Sequence, residues 1–151
     1  PGPMGCCSMK TPEQVRLEFV KAWLAKADED VLVAGAVLDL AMPSYDPVGF
    51  HAQQAAEKAL KALLVRHQVR FGKTHDMRGL LDLAERVAPG IGEQLAGVEA
   101  LTPYAVDARY PGEDPPLGRE DASARLDVAR RVVAQVRALL QAYLEGERPG
   151  G

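Results

Sequence analysis

The chain has 151 residues, of which 47% are apolar, 26% charged and 5% aromatic, the balance of one ordinary globular domain long enough to bury its own core. Eighteen Lys and Arg stand against 21 Asp and Glu, which excludes a protein that grips nucleic acid through a globally basic surface. The two cysteines, Cys6 and Cys7, are adjacent, so a disulfide framework is excluded, and no Cys-x-x-Cys or His-x-His pair accompanies them to suggest a metal.

Pro1-Gly2-Pro3 precedes the first methionine, so residues 1–10 read as an appended remnant or a disordered N-terminus. No run approaches the roughly 18 consecutive apolar residues of a membrane span, and the first ten residues lack the apolar core of a secretory signal. A cytoplasmic protein with no membrane partner is expected. The domain is placed at 11–147, with 148–151 as a disordered tail.

Proline breaks helix interiors but suits first turns, so the gaps between prolines bound the helices. Thr11-Pro12-Glu13-Gln14 supplies a cap, a first-position proline and a capping-box partner. Val15, Phe19, Ala22, Trp23, Ala27, Val31, Ala34 and Leu38 then give one apolar stripe for a helix to about Leu40. The second helix starts at Ser44 or Asp46-Pro47 and is expected to reach about Arg70, where Phe71-Gly72 supplies a stop. Its core face is small: Ala52, Ala55, Ala56, Ala59, Leu60 and Leu63. A neighbouring helix can approach such a face closely, with Trp23 and Phe19 filling the groove.

Thr74 or Asp76 caps a third helix through Leu80, Leu81, Leu83, Ala84 and Val87, ended by Ala88-Pro89-Gly90. A short helix is expected over about Ile91–Leu101. The last helix runs from about Arg119 to Glu145, and its Leu126, Ala129, Val133, Val136, Leu140 and Tyr143 form a seam for a partner helix. Between them Thr102–Gly118 holds four prolines and reads as an irregular, functional or mobile loop. Nothing reads as a strand. The fold class is therefore all-α: an antiparallel up-and-down bundle of four main helices plus a short additional one.

Polar chemistry collects on the second helix. At about 100° per residue, His51, Gln54, Lys58 and Lys61 fall within an arc of roughly 80° beside the alanine face. Residues 48–78 carry six basic side chains against Glu57 and Asp76, together with all three histidines, His51, His67 and His75. That segment is +4 in a chain otherwise at −7. Such a stripe can donate to phosphate oxygens or base edges, or its lysines can simply be solvated. His75 and Asp76 open the third helix, where amides either bind an anion or are satisfied by Asp76 itself. Arg70 and His75 have the spacing of an arginine–histidine pair able to assist RNA cleavage. Arg109 and Tyr110 offer a planar cation and a stacking ring. Phosphate-binding glycine loops, dinucleotide fingerprints, zinc-protease and serine-hydrolase motifs are absent from the sequence, and no cofactor is implied.

Three segments resemble the HEPN domain, named for higher eukaryotes and prokaryotes. They are Phe50-His51-Ala52-Gln53-Gln54-Ala55-Ala56-Glu57-Lys58-Ala59-Leu60-Lys61-Ala62-Leu63, then Lys73-Thr74-His75-Asp76-Met77 with Leu80-Leu81, then Tyr104-Ala105-Val106-Asp107-Ala108-Arg109-Tyr110-Pro111. The resemblance covers about residues 12–145 and implies the same helical bundle. It gathers His51, Gln54, Glu57, Lys58, His75 and Arg109 into one polar site. Some HEPN proteins are metal-independent ribonucleases that use an Arg-x4–6-His motif, often across a dimer. Others bind nucleotides or partner a small nucleotidyltransferase. In the ribonucleases the motif lies late in the bundle, and here Arg109-Tyr110-Pro111-Gly112-Glu113-Asp114 has no histidine at that distance. The expectation is a non-catalytic, homodimeric nucleotide-binding module, or the partner of a nucleotidyltransferase in a toxin–antitoxin-like pair. The alternative is a toxin-type ribonuclease using an Arg/His pair on an RNA ligand.

Overall fold

The computed structural model describes residues 9–73, 76–104 and 115–146, and every regular element among them is helical. The first helix, α1 (Pro12–Leu38), opens on a reciprocal cap. Thr11 Oγ1 accepts from the Gln14 amide at 3.1 Å, while Gln14 Oε1 accepts from the Thr11 amide at 2.8 Å, so two amides of the first turn are satisfied.

The buried track of α1 is Val20, Leu24, Ala27, Asp30 and Ala34. The expected stripe began elsewhere: Val15, Phe19 and Ala22 are exposed, and Phe19 at 58% does not fill the alanine groove. α1 carries apolar residues at helical spacing on two sides. The expected stripe follows the outer track as far as Ala22 and reaches the core side only from Trp23 onward. Trp23 is half-buried against the core, as expected of it.

The second helix, α2 (Asp46–Arg66), is the bundle's centre. α1, α5 (Arg119–Leu144), α3 (Met77–Val87) and a 3-10 helix (Val98–Tyr104) all pack on it. Ala52, Ala55, Ala56, Ala59, Leu60 and Leu63 are buried, as their small-residue face requires. α2 ends at Arg66, four residues before the expected stop. Gln68 takes a left-handed φ of 58°, its amide donates to Val65 O at 3.1 Å, and the Val69 amide donates to Leu64 O at 3.0 Å. This pair of bonds closes a Schellman motif without glycine.

Asp76 caps α3 by accepting from the Arg78 amide at 3.1 Å. The helix expected over 91–101 is divided into α4 (Ile91–Gln94) and the 3-10 helix. Gly97, at φ 95°, turns the chain between them, and Ile91, Leu95, Val98 and Leu101 all reach the core. Glu85 accepts from the amides of Gly90 and Gly92 at 2.7 and 2.9 Å. These bonds hold its carboxyl below the usual range.

The seam of α5 is filled from within the chain. Leu126, Ala129, Val133, Val136 and Leu140 are buried in the bundle's own core, which removes that face as a subunit contact. At the other end of α5, Arg119 fixes the chain that leaves the long loop. It donates to Tyr45 Oη at 2.6 Å and to Leu40 O at 2.8 Å, while Leu117 O accepts from the Tyr45 amide at 2.9 Å and the Leu117 amide donates to Asp46 Oδ1 at 3.1 Å. No helix among the described residues is long and apolar enough to cross a membrane.

Candidate functional site

α2 lies under the other helices on most of its circumference and meets the surface along a narrow arc. The polar residues of that arc divide into two paired groups. In the first, Asp30 of α1 is turned into the bundle at 8% exposure, and a carboxylate taken from water needs compensating partners. It has two. His51 Nδ1 lies 2.8 Å from Oδ1, and Lys58 Nζ lies 2.5 Å from Oδ2. A carboxylate only accepts, so the His51 proton sits on Nδ1 and Nε2 carries the lone pair when the ring is neutral. The Phe50 ring, itself exposed, meets the imidazole edge-on at 5.2 Å.

The second group lies deeper. Lys61 Nζ donates to Glu57 Oε1 at 2.5 Å, and the two residues are 7% and 3% exposed. Gln53, fully buried, donates to Glu57 Oε2 at 2.7 Å and approaches Met77 Sδ at 3.6 Å, and Gln54 donates to Gln53 Oε1 at 2.7 Å. The Lys61 ammonium also sits 5.7 Å from the Trp23 ring and 5.6 Å from the Phe71 ring. These two rings meet edge-on at 6.5 Å. An ammonium held by a carboxylate and two aromatic faces is a cation–π cage closed by the chain's own lysine.

The stripe expected on α2 is paired within the chain, Lys58 to Asp30 and Lys61 to Glu57. His51, Gln54, Glu57, Lys58 and Lys61 lie on one stretch of α2, and neither lysine is merely solvated. With His51 neutral, two ammoniums and two carboxylates leave the cluster without net charge. Asp76 caps α3. His75, Arg109 and Tyr110 lie outside the described residues. Asp30, Gln53, Trp23 and Phe71 are the additions. For Asp30 a signal was present, because it falls three residues after buried Ala27 and four before buried Ala34, a carboxylate at core spacing. Among the described residues no three of His, Cys, Asp and Glu gather as metal ligands.

An all-helical bundle whose central helix carries an internally paired polar stripe defines the class of the protein. The family model described as HEPN domain matches residues 20–139, which span α1 from its third turn to the last turns of α5, and the chain belongs to the HEPN domain family. Comparison with curated proteins and with solved structures gave no significant match.

Proposed function

We propose that this protein is a non-catalytic HEPN module that acts as a homodimer and binds a nucleotide or a small nucleotidyltransferase, as one member of a toxin–antitoxin-like pair. One observation carries the non-catalytic part. Each lysine of the α2 stripe is committed to a carboxylate of the same chain, Lys58 to Asp30 and Lys61 to Glu57. Cleaving a phosphodiester calls for a cation set against the charge that develops on phosphorus, and these two are already neutralised. The late Arg-x4–6-His pattern is also missing from the sequence. What the arc leaves for a ligand is His51 Nε2, the Gln54 side chain and the exposed Phe50 ring.

The Asp30–His51 pair favours a second reading. A carboxylate bonded to Nδ1 of an imidazole is the arrangement that supports a general base at Nε2, so a ribonuclease that uses His51 is the competing function. Incubation of the purified protein with tRNA and mRNA separates the two. Intact RNA at high protein concentration supports the binding module, whereas cleavage that is lost in His51→Ala replaces it with the ribonuclease.

A further inference from the structure

α1 presents two apolar tracks, and its own bundle buries one of them. The outer track starts at Val15 and Phe19 and ends at Ala36, all exposed, with the exposed Leu40 two residues past the helix end. Between these ends it passes Ala22 and Val33, with Lys26 and Glu29 at its centre, also exposed. From Val15 to Ala36 successive positions alternate between four and three residues apart, the heptad spacing of a two-helix seam. Within the 27-residue helix this stripe is about 30 Å long. Phe19 is more than half exposed on it and Leu40 equally so just beyond it, an apolar surface larger than solitary exposed residues make.

We propose that this track is the surface through which two copies of the chain pair, α1 against α1 antiparallel, about a two-fold axis midway between Lys26 and Glu29. The inference rests on the homodimeric reading above and supplies its interface. In that register Lys26 faces Glu29 of the second copy, and Glu29 faces its Lys26, so the only charges on the track neutralise each other twice. Moving outward, Ala22 meets Val33 and Phe19 meets Ala36, and Val15 lies toward the turn that follows the second copy's helix. A small residue faces a larger one in the two inner layers, as interdigitation requires. A slip of one heptad sets Lys26 and Glu29 against Ala36 and Val33, leaving both charges without partners, and this selects the register. Within one chain Lys26 and Glu29 stand 3.5 Å apart with both side chains well exposed, a weak surface pair free to change partners. The C-terminal end of the track is held in place because Leu40 O accepts from both Tyr45 and Arg119.

Sedimentation velocity over a concentration series tests this with the wild type, Lys26→Glu, Glu29→Lys and the double reversal, each checked for unchanged helicity by circular dichroism. The expected result is a wild-type dimer that each single reversal weakens by about tenfold or more, through like charges facing across the axis, and that the double reversal restores. Phe19→Asp is expected to dissociate it without loss of helicity. A dimer indifferent to all four variants overturns this interface while the dimeric reading stands. Single variants that dissociate with no recovery in the double reversal overturn the reciprocal pairing, and a wild type that stays monomeric throughout overturns the interface and the dimeric reading together.

Discussion

Asp30 on α1 and His51 on α2 are joined by a 2.8 Å hydrogen bond, and the second oxygen of the same carboxylate holds Lys58 at 2.5 Å. One partly buried anion thus sets the tautomer of the imidazole, neutralises the lysine and ties α1 to the central helix α2. Asp30→Ala strands both partners, and a loss of about 2 kcal/mol is expected. Urea unfolding checks this through a lower midpoint at an unchanged slope. In the wild type, nitrogen chemical shifts of the His51 ring should report the proton on Nδ1, and Asp30→Ala should release that preference.

The Lys61 cage is more deeply buried and its loss should cost more. Lys61→Met takes the ammonium away from the Glu57 carboxylate and is expected to destabilise the fold by about 3 kcal/mol. Since Trp23 is the chain's single tryptophan, its fluorescence gives a site-specific readout. The emission should shift in Lys61→Met and stay in place in Lys58→Met, whose ammonium contacts Asp30 instead.

Gln68 holds a conformation that glycine adopts without steric cost. At φ 58° an exposed glutamine carries the penalty of the left-handed region, partly offset by the greater unfolded-chain freedom that glycine would bring. Gln68→Gly should therefore stabilise the protein by about 0.5–1 kcal/mol. Gln68→Val should do the reverse, since a β-branched residue is poorly tolerated there. Thermal unfolding of the two variants beside the wild type reads the sign directly.

Glu85 gives the fold an acid-sensitive contact. Its folded-state pKa is lowered by the amides of Gly90 and Gly92, so the unfolded chain binds the proton more readily. The stability it supplies is present above the ordinary carboxylate value and is lost as pH falls through the lowered folded value. Glu85→Gln should flatten the fall in melting temperature on the acid side and leave its shape near neutral pH unchanged.

Much of the architecture was legible because local signals agreed. Thr11 with Gln14, Asp76 before Met77, and the alanine face of α2 each specify one outcome. The register of α1 was not, since both of its tracks carry apolar residues at helical spacing and the choice is made by what packs against it. The early end of α2 was hidden as well. A non-glycine residue at the left-handed position leaves no mark in the sequence, and Phe71-Gly72 offered a more familiar stop. On α2, His51, Gln54, Lys58 and Lys61 were marked by their common arc on one helix, and Glu57 by the family resemblance alone. Their neutralisation was not, because Asp30, Trp23 and Phe71 arrive from other segments and a helical wheel records only one.

Titration calorimetry with ATP tests the non-catalytic, nucleotide-binding reading most directly. Saturable binding to the wild type, weakened about tenfold or more by His51→Ala, is the predicted result. Heats indistinguishable from dilution in the wild type, or an affinity that His51→Ala leaves unchanged, would contradict it.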